Sequence, residues 1–218
     1  MNTTQPVALV TGASGDIGSA IAQALGTSGY HVIGTYVGAA DAAATTVDAI
    51  KEAGGSAQAI QLDQRDPEAI EALMDSIAEE HGRLDVLVNN AAWNIGIPFR
   101  RLDDLNADIW DRVLETNLRA PFLLARAGAN LLKAGNGGHI INISSAGGIS
   151  PGSSSIAYSS SKAGLNHLTR CLAVAMSPEV AVNCIAPGLV ENTRMAQRLP
   201  ENVAEEASIG DLAPEGLR

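Results

Sequence analysis

Apolar residues fall in short runs, separated by longer stretches in which they recur every three or four positions. The runs Pro6–Val10, His31–Tyr36, Ala57–Leu62, Leu84–Val88, His139–Ile143 and Val180–Ile185 have the length and flanking turn residues of strands. Between them, Asp16–Gly29, Asp41–Ala53, Pro67–His81, Asn106–Lys133 and about Ala157–Met176 carry helical spacing, with glycines at several of their ends. Strands alternating with helices at this spacing predict right-handed crossovers and an α/β fold with a doubly wound parallel sheet. No repeat, linker or low-complexity stretch interrupts the pattern, so residues 1–218 read as one domain.

Composition narrows the picture. Only 3% of residues are aromatic, so Ala, Val, Ile and Leu must build the core, as suits a sheet covered on both faces. A formal charge of −10 argues against nucleic acid or anionic membrane as a partner, since neither is drawn to an acidic surface. No apolar run approaches the roughly 18–20 residues of a membrane span, and no signal peptide is visible. Cys171 and Cys184 are too few for a disulfide framework and read as small core residues. A cytoplasmic location is expected, with no metal site.

In a doubly wound sheet, ligands bind where loops leave the carboxyl ends of the strands. The first such loop, Thr11-Gly12-Ala13-Ser14-Gly15-Asp16-Ile17-Gly18, joins a strand to a helix. Its glycines permit a tight turn and close approach to a pyrophosphate held by amides at the helix start. The fourth strand ends in Asn89-Asn90-Ala91-Ala92, which either caps a turn or touches a cofactor. Ser144-Ser145 follow the fifth strand, and Tyr158-Ser159-Ser160-Ser161-Lys162 open the next helix. Tyr158 and Lys162, four apart, share a helix face, and an ammonium beside a phenol favours the phenolate.

These pieces, in this order, resemble the short-chain dehydrogenase/reductase family, in its single-domain branch that includes 3-oxoacyl-acyl-carrier-protein reductases. The resemblance runs from about Val7 to Met195 and adds Asp63, Asn117 and the Pro187-Gly188 turn. It implies a Rossmann-type oxidoreductase that moves a hydride between NAD(P) and a ketone or secondary alcohol. By the same resemblance, Tyr158 is the general acid/base. Lys162 lowers its pKa and holds the nicotinamide ribose. Ser145 binds the substrate oxygen with Ser144 in support, and Asn117 holds a water that links Lys162 to solvent. Cofactor contacts fall to Gly12, Ser14, Asp16, Ile17, Gly18, Tyr36, Asp63 (adenine), Asn90, Ala91, Lys162, Pro187, Gly188 and Thr193.

Three departures bear on these expectations. Asp16 stands at the middle glycine of the family's Gly-x-x-x-Gly-x-Gly pattern, with Gly15 just before it. It either brings a carboxylate beside the phosphates or faces solvent and favours the helix N-terminus, and the second is the expectation. At the end of the second strand Tyr36 replaces the acid that would bind an NAD ribose, yet residues 1–50 contain no Lys or Arg. The missing acid, with Ser14 and Thr35 as hydroxyl donors, points to NADP, while the missing base and Asp16 point to NAD; NADP is the narrow expectation. The family's last helix and strand are not legible, and about 196–218 read as irregular, leaving the sixth strand as an exposed edge.

Trp93, Asn94, Ala146, Ile149, Ser150, Leu189 and Met195 are expected to line a cleft for a small or medium, mostly apolar substrate, although Trp93 could equally pack on the long helix. The long helix and the helix of Tyr158 resemble the pair through which family members dimerise, and their apolar positions Leu114, Leu118, Phe122, Leu165 and Leu168 fit that, so the resemblance implies a homodimer, with a homotetramer beyond it. Against the enzyme stands a catalytically inactive nucleotide-binding scaffold produced by C-terminal truncation. An epimerase of the extended branch would need a substrate domain that this length does not hold.

Overall fold

The computed structural model describes residues 5–135, 137–191 and 193–194. Six strands, β1 (Val7–Val10), β2 (His31–Tyr36), β3 (Ser56–Gln61), β4 (Val86–Asn89), β5 (Gly138–Ile143) and β6 (Val180–Ile185), form one sheet in the order β3-β2-β1-β4-β5-β6. Every pairing is parallel. The order reverses between β1 and β4, and that is where a doubly wound sheet opens a crevice at its carboxyl edge.

Alternation along the strands divides the core in two. Val7, Leu9 and Ile33 face α3 (Pro67–His81), α5 (Ala120–Ala127) and α7 (Ile156–Met176). Ala8, Val10 and Val32 face α1 (Asp16–Thr27) and α2 (Ala40–Glu52). Local chemistry sets the ends: Asp66 caps α3 by accepting from the Glu68 and Ala69 amides at 2.9 and 3.2 Å, Pro67 opens it, and Gly82 closes it at φ 69°.

The expected helix over Asn106–Lys133 is instead three pieces, α4 (Ala107–Leu114), α5 and α6 (Ala129–Lys133), with a π turn at Glu115–Arg119 between the first two. Pro121 explains the widened turn. It has no N–H for the Asn117 carbonyl four residues earlier and its ring crowds that carbonyl, so the helix widens just ahead of it, with Ala120 N–H donating to the Glu115 carbonyl. α6 is separated from α5 at Gly128, where a Cβ would lie 3.1 Å from the Leu124 carbonyl oxygen.

Other expectations change too. Leu165 is buried and Leu168 packs against the core, because the face of α7 that carries them turns toward the sheet; Leu114 and Leu118 are half-buried, and Phe122 is exposed. Cys171 is exposed, on an outward position of α7, and Cys184 is half-buried: it shares the inward face of β6 with Val180 and Val182 but lies at the strand end, where its thiol meets Asn166 Oδ1 at 3.3 Å. No described helix is long and apolar enough to cross a membrane. The expected irregular segment 196–218, the question of a last helix and strand, and Met195 lie outside the described residues.

Candidate active site

The glycine-rich loop is clamped to the end of β4. Thr11 Oγ1 accepts from the Asn90 and Ala91 amides at 3.0 Å each, and Asn90 Nδ2 donates to the Thr11 and Gly12 carbonyls at 2.9 and 3.3 Å. Gly12 adopts φ 70°, and a Cβ at Gly18 would stand 2.2 Å from the Gly12 carbonyl oxygen, so only glycine lets the loop fold back on the helix start. Asn90 thus braces the loop through its side chain. Gly15 caps α1 with no side chain to satisfy the first-turn amides, which leaves the opening an anion such as a pyrophosphate fits.

Thr35, offered above as a hydroxyl donor, is buried, and its carbonyl accepts from the Ala13 amide at 2.9 Å; it pins the loop rather than facing a ligand. Tyr36 is half-buried at the strand end. The Asp63 carboxylate is engaged by Arg65 Nε at 3.0 Å and Nη2 at 2.6 Å, and that hydrogen bonding holds it below the usual carboxylate range. Asp16 does not simply face solvent: Oδ2 accepts from the Arg194 amide at 2.7 Å, joining α1 to the segment after Pro187-Gly188. That segment lies near the β5 loop, since Pro187 O accepts from the Ala146 amide at 2.9 Å. Thr193 is buried, its hydroxyl donating to Val190 O at 2.8 Å.

The four residues expected to do the chemistry converge on α7. Ser155 caps that helix by accepting from the Tyr158 amide at 3.2 Å. The side chains of Tyr158 and Lys162 are both buried, with Lys162 Nζ 5.6 Å from the phenol ring centre. Lys162 Nζ donates to the Ile143 carbonyl at 2.7 Å, at the very end of β5. Burial pushes this ammonium down to about 8. It also pushes the Tyr158 phenol up, while a hydrogen bond with Ser145 works the other way. The expected lowering of the phenol by Lys162 is therefore not the governing effect: desolvation outweighs it, and the ammonium is directed at a carbonyl instead.

Asn117 is placed by the π turn. Its Oδ1 accepts from the Trp93 amide at 2.8 Å, and its Nδ2 donates to Trp93 O at 3.0 Å and Ser161 Oγ at 3.1 Å. The side chain ties the β4 loop to the helix of Tyr158. Trp93 itself lies under Arg112, whose guanidinium carbon is 4.3 Å from the ring centre, so the indole packs on α4. Asn94 Oδ1 accepts from Ser154 Oγ at 2.7 Å. Ala146 and Ser150 are half-buried and Ile149 is exposed on the loop after β5, with Leu189 half-buried after the Pro-Gly turn. Ser144 is buried, its hydroxyl donating to Lys162 O at 3.2 Å.

Two parts of the site escaped sequence reasoning. Gln64, buried beside Asp63, donates to Thr116 O at 2.8 Å and Ala91 O at 3.2 Å, holding the π turn against the β4 loop. Beneath the site, Asn89 Nδ2 donates to Asn142 Oδ1 at 2.8 Å, and Asn142 Nδ2 to Thr169 Oγ1 at 2.9 Å, a buried polar chain across β4, β5 and α7. A polar residue inside the apolar run Ile140-Ile141-Asn142-Ile143 was the available signal.

Comparison with known proteins agrees with this geometry. Residues 6–204 match the short chain dehydrogenase family. Versicolorin reductase stcU of Emericella nidulans is 38% identical over 186 residues, covering 85% of this chain and 69% of the relative. A metagenomic short-chain oxidoreductase, solved in complex with NADP, superposes with a TM-score of 0.79 at 37% identity, covering 94% of this chain and 89% of its own. An NAD+-bound xylitol dehydrogenase gives 0.78 at 30%, with 84% and 69% covered. The fold agrees with the sequence match, and the chain is an oxidoreductase belonging to the short chain dehydrogenase family.

Proposed function

We propose that the protein transfers a hydride between NAD(P) and a small or medium, mostly apolar ketone or secondary alcohol, with Tyr158 as the general acid/base. The observation that carries this reading is the convergence of Ser145, close enough to the Tyr158 phenol to bear on its ionisation, with Tyr158 and Lys162 buried on the same face of α7. The cofactor contributes the hydride when bound. The glycine-rich loop and the uncapped start of α1 hold its pyrophosphate, and solved relatives carry NADP in one case and NAD+ in another.

The phenol, raised by burial, keeps its proton at neutral pH and so stands ready to donate to a carbonyl oxygen. Ser145 orients that oxygen and stabilises the charge it gains. Lys162 keeps the site electropositive, and Asn117 holds the β4 loop against α7. Ile149, Ala146 and Leu189 supply apolar lining for the remainder of the substrate.

Titration of the purified chain with NADPH and, separately, NADH, followed by fluorescence, is expected to give saturable binding. Addition of small ketones is then expected to consume the reduced cofactor. Binding of neither cofactor would refute this reading, and saturable binding with no turnover of any ketone would favour the inactive nucleotide-binding scaffold. The exposed Phe122 and the groove lined by Asp111, Leu114, Glu115, Leu118 and Arg119 support a homodimer. Light scattering at micromolar concentration is expected to give about twice the 22.4 kDa chain mass; a monomer would overturn it.

A further inference from the structure

The anionic cofactor meets a chain with no Lys or Arg in its first 50 residues. Among the described residues, the cation that touches the glycine-rich loop comes from the far end of the sequence. Arg194 Nη2 donates to Ser14 O at 2.8 Å and lies 3.8 Å from the point where a Cβ on Gly15 would stand. Asp16 holds it there twice, through the Arg194 amide at 2.7 Å and through Nε, 3.3 Å from Oδ1. Nη1 has no acceptor among the described residues. The guanidinium looks onto a groove between α1 and α2 lined also by Ser14, Ser19, Thr45 and Thr46.

We propose that Arg194 is the specificity residue for NADP, reading the 2′-phosphate of its adenosine half, and that Asp16 is the positioning residue that aims it. This rests on the dinucleotide-binding reading above. The groove flanks the start of α1 on the side of the first turns of α2, the helix that follows β2, and in this fold class the ribose 2′ position is read from the end of β2. A guanidinium suits a phosphate dianion because it stays charged and its donors lie in one rigid plane. With Nε and Nη2 committed to Asp16 and Ser14, the free Nη1 is presented in a fixed direction. The ion pair is half-exposed, so its direct contribution to stability is small; its effect is to orient. Because Arg194 follows the Pro187-Gly188 turn, reading the phosphate also fastens the segment that borders the reactive end of the cleft.

The expected sign at Asp16 separates this from simple charge repulsion. Removing a carboxylate from beside a phosphate would by charge alone tighten binding. If Asp16 aims Arg194, its removal loosens NADPH instead.

Dissociation constants for NADPH, NADH and the nicotinamide-free fragment 2′,5′-ADP are to be measured by titration on the full chain, wild type and Arg194→Gln, Asp16→Ala and the double variant. The wild type is expected to prefer NADPH. Arg194→Gln should weaken NADPH and 2′,5′-ADP by roughly tenfold or more, the scale of a charged hydrogen bond, and NADH by less than about threefold. Asp16→Ala should weaken NADPH in the same sense, and add nothing further in the Arg194→Gln background. Arg194→Lys should restore part of the loss. Equal loss of both cofactors in Arg194→Gln, no loss of NADPH, or tighter NADPH in Asp16→Ala would each overturn the proposal. All three leave the dinucleotide reading intact, whereas a wild type that binds neither cofactor defeats that reading first.

Discussion

Tyr158→Phe is expected to lower turnover by about a thousandfold, within the range that a positioned proton donor contributes, while the dissociation constant for the reduced cofactor stays within about twofold. The phenol is buried on α7, with Ser155 capping the helix just before it and Ser145 beside the hydroxyl. Deleting one oxygen therefore leaves the ring, the helix start and the glycine-rich loop in place. What is lost is the proton and one partner of Ser145. Single-turnover reduction, compared with cofactor binding on the same preparation, checks the result. A variant that keeps half its turnover would remove Tyr158 from the proton-transfer role. In the wild type, alcohol oxidation should rise with pH well above neutrality, because it needs the phenolate and burial has raised that pKa.

Lys162→Met should also abolish most turnover, yet yield a more stable protein at neutral pH. Burial lowers the Lys162 pKa from 10.5 to about 8. Below pH 8 the folded and unfolded chains both hold the proton, and the folded chain carries the full cost of a desolvated ammonium. Between about 8 and 10.5 the unfolded chain holds more protons, so raising the pH stabilises the fold; above that window the cost is gone. The shift corresponds to about 3 kcal/mol at roughly 1.4 kcal/mol per unit. Methionine fills a similar volume. Losing the bond from Nζ to Ile143 O takes back about 1–2 kcal/mol, so a net gain of about 1–2 kcal/mol remains. Thermal unfolding of both proteins from pH 7 to 10.5 is expected to show a higher Tm for the variant at pH 7 and a gap that closes and then reverses as pH rises through the window from about 8 to 10.5. A variant less stable at pH 7, with a gap indifferent to pH, would contradict the cost assigned to the buried ammonium. Loss of turnover together with that gain would place Lys162 among residues kept for chemistry at the expense of stability.

Much of this architecture is local enough to be legible along the chain. Asp66, Pro67 and Gly82 mark α3 from end to end because caps act within a few residues of the backbone they satisfy. The strand runs are short and apolar because the sheet is covered on both faces, and their ends carry the loops where the site lies. What stayed hidden depends on contacts distant in sequence. Pro121 was visible, but its consequence, a widened turn that aims Asn117 at Trp93 and Ser161, depends on which groups meet across the fold. Gln64 looked like a loop residue until Thr116 and Ala91 were brought to it. Asp16 could be read locally as a charge at a helix start; its partner is 178 residues away. The direction of the Tyr158 shift was misjudged for a related reason, since spacing reveals a neighbouring charge but not the depth at which both groups are buried.

The Asn89–Asn142–Thr169 chain has a consequence for mechanical precision. Tyr158, Lys162, Leu165 and Thr169 follow one another on a single face of α7, and Thr169 lies seven residues, about 10 Å along the axis, beyond Lys162. Aliphatic packing tolerates a small roll or slide of a helix on a sheet, because one methyl contact substitutes for another. Directional hydrogen bonds do not. Pinned about three turns away from the phenol, α7 has its rotational phase indexed to the strands by buried groups, so the direction in which Tyr158 points is calibrated far from the phenol itself.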